Sequence, residues 1–389
     1  MRVYFDYNAT TPPAPEVVER VTLATRDLFG NASSVHHFGQ QAKGALDEAR
    51  SAVSVLVGCD PSELVFTSGG TEADNLALRG AAEALEATGR RHLIASAIEH
   101  EAVLNTLKAL TRRGWRTTLI PVDQSGVVSP ARVREALTPD TALVSVMHAN
   151  NEIGTLQPIA DIAALAHEHG ALLHTDAVQS IGKVPVDVRA LGVDLLALSA
   201  HKFNGPKGAG ALFVKRGTRL LPILTGGKHE RNRRAGTEDV PAIAGMGVAA
   251  TLAVAKMDGE TVRLGALRDR LERGILDRVP GTVVNGGGSP RVANTTNVSF
   301  DRVEAESLLI ALDLEGIAVS TGSACSSGTL EPSHVLRAMG FPAHRTQNAL
   351  RFSLGLFSTE REVDLVLDTL PRLVDRLRRL TRPRAGAAR

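Results

Sequence analysis

The segment Leu195-Leu196-Ala197-Leu198-Ser199-Ala200-His201-Lys202 joins four consecutive apolar residues to a hydroxyl, an imidazole and an amine. A short apolar run bounded by polar residues predicts a strand buried on both faces, as in a parallel sheet. Because ligands bind at the carboxyl ends of such strands, Lys202 lies where a side chain can do chemistry. For the segment taken alone, a lysine on a surface turn remains the alternative.

Apolar runs of the same kind alternate with helical periodicity between about residues 60 and 215. Further strands are predicted at 64–67, 92–96, 117–120, 142–147 and 171–174. Between them, helices are predicted at about 71–88, 99–113, 130–137 and 159–169. This alternation predicts an α/β fold in which a mostly parallel sheet carries helices on both faces.

The chain changes character after a long helical stretch at about 240–279. A smaller α+β set follows, with strands predicted at 296–300, 317–319 and 350–353, and helices at 303–314 and from about 359. The length of 389 residues also favours at least two domains, since one core serves about 150 residues. We therefore place a domain boundary near residue 258.

The composition is that of an ordinary globular chain. A net charge of +2 creates no global field that would favour nucleic acid or a membrane surface. The two cysteines, Cys59 and Cys325, are too few for a disulfide scaffold or a four-cysteine zinc site. The N-terminal residues have no signal-peptide core, and the longest weakly apolar run, 243–255, is too short to span a bilayer. We expect a cytoplasmic protein with no membrane partner and no direct nucleic-acid binding.

Lysine is rare in this chain, with 8 lysines against 36 arginines. A lysine can form an imine with an aldehyde cofactor if its amine is held where it can be neutral. Most of the eight are predicted to be surface residues: Lys43, Lys108 and Lys256 fall in amphipathic helices, and Lys215 ends a strand beside Arg216. Lys202 differs because Ser199 and His201 next to it could hold a phosphate beside the imine.

The turn Thr67-Ser68-Gly69-Gly70-Thr71-Glu72 leads from a predicted strand into a predicted helix. Its backbone N–H groups, the Thr71 hydroxyl and the helix dipole suit a phosphate. An ordinary helix cap by Thr71 is the alternative. The turn lacks the Gly-Lys-Ser/Thr ending of a P-loop, which argues against a nucleoside triphosphate.

Polar side chains also follow three other predicted strands. His100 could lie flat on an aromatic cofactor, Asn151 follows the strand 142–147, and Asp176 and Gln179 follow 171–174. A buried Asp176 needs a cationic partner, and a protonated pyridine nitrogen would keep the ring of pyridoxal phosphate an electron sink. Singly, these residues are also explained as helix caps or turn residues. Together with Gly70 and Lys202, they mark five strand ends and predict one site.

Taken together, these motifs resemble the cysteine desulfurases of the NifS/IscS kind, which are fold-type I pyridoxal-phosphate enzymes. The resemblance runs from residue 5 to about 380 and implies a seven-stranded, mostly parallel large domain over 12–258. The small α+β domain would combine 1–11 with 259–389. The matching motifs are 67–72, Glu99-His100, 150–154, 176–179, 199–202, Asp6-Tyr7-Asn8-Ala9-Thr10-Thr11-Pro12, 30–34, Gly236-Thr237 and 351–355.

The resemblance implies a role for each cofactor-binding residue. Lys202 would carry pyridoxal phosphate as an imine, and His100 would stack on its ring and move protons. Asp176 would pair with the ring nitrogen, and Gln179 would reach the phenolic oxygen. The remaining implied contacts are with the phosphate (Gly70, Thr71, Ser199 and His201) and with cofactor and substrate together (Asn151).

Three further residues complete the implied site. Thr237 would reach the phosphate of a partner subunit, which implies a homodimer, and Arg351 would grip the carboxylate of L-cysteine as a fork. Small residues around Cys325, in 320–329, predict a mobile loop rather than a packed core, whereas Cys59 fits a structural role. Cys325 would take sulfur from L-cysteine as a persulfide, leave L-alanine and contact a nascent iron–sulfur cluster. No resident metal is expected.

Several alternatives remain open on the sequence. A selenocysteine lyase would share this scaffold, an aminotransferase would need Lys202 but no mobile cysteine, and a sulfur-delivery adaptor would act mainly in a complex. The segment 372–389 has seven arginines and one acid, which suits an acidic partner or a solvated chain end. Ala32 replaces a frequent proline, and the aromatic-containing tail of housekeeping members is missing. The sulfur acceptor therefore stays open between an iron–sulfur scaffold and a tRNA-thiolation enzyme.

Overall fold

The computed structural model describes residues 2–322 and 332–380, and its largest sheet has seven strands. A short strand, β1 (Val3–Tyr4), precedes them in the chain. The seven are β2 (Leu64–Thr67), β3 (His92–Ser96), β4 (Arg116–Ile120), β5 (Thr141–Ser145), β6 (Leu172–Asp176), β7 (Leu195–Ser199) and β8 (Gly210–Val214). Their spatial order is β2-β8-β7-β6-β5-β3-β4.

The sheet is mostly parallel, as the alternating pattern predicts. Only β8 runs against its neighbours, β2 and β7. This direction follows from the short connection between β7 and β8, which is too short for a parallel crossover. Every residue of β3, β5, β7 and β8 is buried, whereas the edge strand β4 exposes Arg116 and Leu119.

Eight helices belong to the part of the chain up to residue 278. They are α1 (Pro15–Asp27), α2 (His37–Val57), α3 (Gly70–Leu85), α4 (Glu101–Thr111), α5 (Pro130–Ala136), α6 (Ile159–Glu168), α7 (Val188–Leu191) and α8 (Val240–Arg278). The sequence predictions gave no bounds for α1 and α2, which pack on α8. Small residues bring α2 and α8 close together, since a Cβ atom on Gly247 would lie 2.6 Å from Ala49 Cα.

The remaining elements form a smaller α+β unit. Its strands are β9 (Thr282–Asn285), β10 (Thr295–Phe300), β11 (Ile317–Ala318) and β12 (Ala349–Ser353), and its helices are α9 (Ala305–Leu314), α10 (His334–Ala338), α11 (Ala343–Thr346) and α12 (Glu360–Leu380). The strands β12, β10 and β9 form an antiparallel sheet, and β1 pairs with β11. The N-terminal strand β1 therefore belongs to the small unit, although the elements that follow it in the chain form the large unit.

The 39-residue helix α8 contributes to two separate apolar cores. Its residues up to Ala250 pack in the core of the large unit, and those from Leu264 pack with Val3 and Phe5 in the small one. The predicted boundary near residue 258 falls between these two groups. Over 18 residues α8 reaches a mean hydropathy of 1.6, long and apolar enough for a membrane span, but half of that window is buried in the fold. Length and composition alone are weak support for a span.

Two glycine-to-alanine substitutions on α8 test this packing. Gly247→Ala places a methyl group against the α2 backbone, so we expect it to destabilise the protein by about 1–3 kcal/mol. Gly259→Ala meets no atom within 4 Å and should stabilise the helix by about 0.5–1 kcal/mol, because alanine has the higher helix propensity. Thermal unfolding of both variants measures the difference, and equal shifts in Tm would contradict the close α2–α8 contact.

Candidate active site

A cavity of about 630 Å³ opens at the carboxyl ends of the central strands, beside β12 of the small unit. It is lined by ten of the residues that the sequence analysis singled out. They are Gly70, Thr71, His100, Asn151, Asp176, Gln179, Ser199, His201, Lys202 and Arg351. The fold therefore brings the predicted strand-end residues together at one edge of the sheet.

Lys202 lies at the end of the 3-10 turn that follows β7. Its Nζ donates to the main-chain oxygens of Asn8 (2.6 Å) and Ala9 (2.8 Å). Burial and the nearby Arg351 guanidinium lower the pKa of Lys202 to about 8, although Asp176 opposes this shift. A substantial fraction of the amine is therefore neutral near physiological pH, as a nucleophile that forms imines requires.

His100 is both the N-cap of α4 and part of the cavity wall. Its Nδ1 accepts a hydrogen bond from the Ala102 N–H at 3.1 Å. Because that nitrogen is an acceptor, the neutral ring must carry its proton on Nε2. The capping role considered from the sequence and the cavity position thus coexist, and the cap determines which ring nitrogen is protonated.

Asp176 presents a buried carboxyl group at the cavity. Its Oδ1 accepts from the Val178 N–H at 2.8 Å. Burial raises the pKa of Asp176, and the charges of His100 and Lys202 offset only part of this rise. Among the described residues Asp176 has no ion-pair partner, so the site suits a ligand that brings its own positive charge.

Three buried groups around Asp176 were given no role by the sequence motifs. Asp74 Oδ1 lies 3.4 Å from His174 Nε2, and neither atom has a hydrogen-bond partner. Burial raises the pKa of Asp74 well above its ordinary value and lowers that of His174 to about 3, so the pair is neutral rather than ionic. Burial also raises the pKa of Glu99 to about 8. The sequence suggests that Asp74 is an ordinary acidic residue in the first turn of a helix, and only the fold shows that it is buried.

The start of α3 forms an anion cradle. Its N-cap, Gly69, has no side chain to bond the first-turn N–H groups. A Cβ atom on Gly70 would lie 2.7 Å from Val178 Cγ2, so the backbone approaches too closely for any larger residue. Ser199 and His201 line the same cavity. Free N–H groups at a positive helix end are suited to a phosphate.

Arg351 lies in β12 and is almost completely buried. Its Nη2 donates to Asp6 Oδ1 at 2.6 Å, and its Nη1 donates to the Asn151 main-chain oxygen at 2.9 Å. Its buried Nε has no hydrogen-bond partner. The guanidinium is therefore held in place from both units of the fold and retains donor capacity for a ligand carboxylate.

Two predicted site residues are not part of this cavity wall as described. Thr237 is exposed and does not line the cavity. Cys325 lies outside the described residues, although Gly322 and Pro332, on either side of that gap, line the cavity. Burial raises the pKa of Cys59 to about 12, so its thiol is unreactive at neutral pH.

The sequence profile described as Aminotransferase class-V matches residues 3–366. The chain belongs to the class-V aminotransferase family. The cysteine desulfurase IscS of Dictyoglomus turgidum is 48% identical over 379 residues, which cover 97% of this chain and 96% of that protein. A solved NifS-like protein has a TM-score of 0.90 at 37% identity, covering 96% of this chain and 100% of that one. SspA in complex with cysteine has a TM-score of 0.81 at 35% identity, covering 92% and 100%.

These comparisons confirm the resemblance that the motifs carry, and the family uses pyridoxal phosphate. Three features of this chain fit that cofactor. The uncapped start of α3 suits its phosphate, the unpaired carboxyl of Asp176 suits its protonated ring nitrogen, and the amine of Lys202 has the lowered pKa that an imine requires. Each feature is a property of this chain's own residues.

The pKa of Lys202 determines how fast the apoprotein takes up pyridoxal phosphate. Only the neutral amine reacts, so we expect the rate to rise with pH up to about 8 and then to level off. Arg351→Gln removes a charge that lowers this pKa, so the inflection should move to higher pH. The exposed Arg361→Gln is the control. Stopped-flow absorbance measures the rates, and an inflection that does not move in Arg351→Gln would contradict this coupling.

The neutrality of Asp74 predicts a pH-dependent stability. The pKa of Asp74 is higher in the folded than in the unfolded protein. Wild-type protein therefore loses stability as the pH rises from the unfolded-state pKa to the folded-state pKa. Asp74→Asn lacks this loss, so its Tm relative to wild type should be higher at pH 8 than at pH 4. Thermal unfolding of both apoproteins measures this, and a gain that shrinks with pH would show that Asp74 is ionised.

Proposed function

We propose that this protein is a cysteine desulfurase that removes sulfur from L-cysteine and leaves L-alanine. The observation that carries the proposal is the cavity in which the low-pKa amine of Lys202 lies beside the pre-oriented guanidinium of Arg351. One residue suits an amino-group reaction, and the other suits an α-carboxylate. The cysteine desulfurase name of the relative and the cysteine bound to SspA support the choice of substrate.

Four residues of the cavity have distinct proposed tasks in this reaction. Pyridoxal phosphate, when bound, supplies the electron sink that makes the α-proton of an amino acid removable. Arg351 holds the substrate carboxylate, and Asp176 keeps the ring nitrogen protonated. Lys202 would hold the cofactor, and its low-pKa amine would accept the α-proton. His100, with its proton on Nε2, supplies a proton donor at the same wall.

Cys325 is the proposed sulfur acceptor. Its thiolate attacks the substrate sulfur, the substrate C–S bond breaks, and its electron pair goes to the carbon, which gains a proton to give alanine. The products are L-alanine and a Cys325 persulfide, so atoms and electrons balance without an added oxidant. The chain's other cysteine, Cys59, is excluded from this role by the pKa of about 12 that burial imposes on its thiol.

A homodimer is part of the proposal. Thr237 is exposed and lies outside its own cavity wall, which is consistent with a contact to the phosphate in a second copy. An apolar patch supports such an interface: Phe29, Val35 and Phe38 are 71%, 92% and 49% exposed, and the two phenylalanine rings lie 5.1 Å apart. Exposed aromatic patches of this kind mark protein–protein contacts.

The sulfur is proposed to pass from Cys325 to a second protein, either an iron–sulfur scaffold or a tRNA-thiolation enzyme. A cytoplasmic location is proposed with it, because Cys325 must be a free thiol to act as a nucleophile and free thiols persist in a reducing compartment. Transfer of labelled sulfur from the loaded enzyme to each purified acceptor distinguishes the two pathways.

Cys325→Ser tests the proposed chemistry. The variant should bind pyridoxal phosphate with an unchanged visible spectrum, because Lys202 is intact. Its alanine production from L-cysteine should fall by roughly 100-fold or more, because the nucleophile is absent. Cys59→Ser is the matched control and should keep full activity. Persistent alanine and sulfide release by Cys325→Ser would show that the persulfide does not form there.

Thr237→Ala tests the second-copy contact. Loss of a hydrogen bond to a charged phosphate should weaken cofactor binding by roughly 10- to 100-fold. Gel filtration with light scattering of wild-type protein should give twice the 41.1 kDa chain mass. A monomer with unchanged cofactor affinity in Thr237→Ala would refute the shared phosphate site.

A further inference from the structure

Lys183 is a second lysine beside the candidate active site, and the sequence analysis passed over it. It lies four residues after Gln179, and its Nζ lies 2.7 Å from Gln179 Oε1 and 3.1 Å from Asn8 Oδ1. Within the described residues it forms no ion pair with a carboxylate. A lysine that contacts two amide oxygens and no carboxylate calls for an explanation other than charge pairing.

The hydrogen bonds around Lys183 determine how both amides are oriented. Gln179 Nε2 donates to the main-chain oxygen of Asn8 at 2.8 Å, and Asn8 Nδ2 donates to that of Asn151 at 3.2 Å. A carbonyl oxygen can only accept, so each amide nitrogen must face its carbonyl. Both amide oxygens therefore face Lys183, whose amine donates to each of them, and Asn8 Oδ1 also accepts from Asn294 Nδ2 at 3.1 Å.

This orientation leaves Gln179 with a donor to spare. Its amide nitrogen carries two hydrogens, one of which is used by Asn8, and Gln179 lines the cavity. The Asn8 carbonyl also accepts from Lys202 Nζ at 2.6 Å. Lys183, Asn8, Gln179 and Lys202 thus form one hydrogen-bonded chain that ends at the cavity.

We propose that Lys183 is a positioning residue that keeps the Gln179 amide turned so that an N–H group faces the phenolic oxygen of bound pyridoxal phosphate. The inference rests on the predicted contact between Gln179 and that oxygen. Without Lys183, the amide oxygen loses its donor, and the amide can rotate to place oxygen against oxygen. The effect of Lys183 on the cofactor is therefore indirect and passes through Gln179.

The electrostatic surroundings agree with this role. Burial lowers the pKa of Lys183 well below its ordinary value, and the charges of Lys202 and Arg351 lower it further. A neutral amine still has two N–H groups, so both amide oxygens remain satisfied. The other charged groups that act on Lys202 are Asp176 and Asp6, and substitution of Lys183 leaves both in place.

The visible absorbance of the pyridoxal-phosphate-loaded enzyme, followed as a function of pH, tests the inference. A hydrogen bond donated to the phenolic oxygen weakens the attraction of that oxygen for the imine proton. The absorbance midpoint is the pH at which half of the absorbance change has occurred. Lys183→Met should therefore raise this midpoint, on the order of one pH unit. Lys183→Arg keeps the donors and should restore the wild-type midpoint. Lys43→Met, at an exposed position of α2, is the control and should leave the midpoint unchanged.

A double-mutant cycle separates positioning from direct electrostatics. Gln179→Leu should raise the midpoint, and adding Lys183→Met to it should produce no further shift. A full additional shift in the double variant would overturn the proposal, because Lys183 would then act directly on the imine. An unchanged midpoint in Gln179→Leu would instead refute the predicted contact of Gln179, while the proposed desulfurase activity is tested separately by Cys325→Ser.

Folding is checked on the same samples by thermal unfolding. If Lys183→Met does not fold, Lys183→Ala is measured in its place, because water can fill the crevice that Lys183 lines. An unshifted midpoint in the folded variant would overturn the proposal. Failure of both variants to fold would also overturn it, in favour of a purely structural lysine.

Discussion

The hydrogen bond from Lys202 to the main-chain oxygen of Asn8 joins the two units of the fold at the centre of the site. Lys202 follows a strand of the large sheet, whereas Asn8 follows β1, which pairs with a strand of the small unit. The same Asn8 bonds Thr295 through its side chain and Ser353 through its backbone N–H. The position of the amine therefore depends on the packing of the small unit against the large one.

Partial removal of charged groups from water gives the cavity its chemistry. Lys202 and Lys183 have lowered pKa values, and Asp176, Asp74 and Glu99 have raised ones, with burial the largest cause in every case. The site thus shifts its buried amines and carboxyl groups towards their neutral forms, compared with the same groups in water. Such paired opposite shifts are typical of sites that move protons.

The sequence correctly predicted which residues lie together at the carboxyl ends of the strands. A buried strand can be recognised from a short apolar run alone. The topology of a parallel sheet then places the residues that follow each such strand at one edge of the sheet. This logic identified Lys202, Asp176 and Asn151 without knowledge of any distance. It failed for Asn8 and Lys183, because their roles depend on which amide and carbonyl groups face each other across the two units. No bounds were predicted for α1 and α2 because the strand-and-helix alternation does not extend to them.

Local sequence was sufficient for the alternation of strands and helices, the choice of Lys202 as the candidate reactive amine and the family. These depend on residue type and on the spacing of motifs along the chain, both of which are present before the chain folds. The pKa values and the neutral Asp74–His174 pair were decided only by the tertiary structure. They arise from desolvation and from charges on residues distant in the sequence, such as Arg351 beside Lys202. Neither effect exists until distant segments exclude water from the same volume.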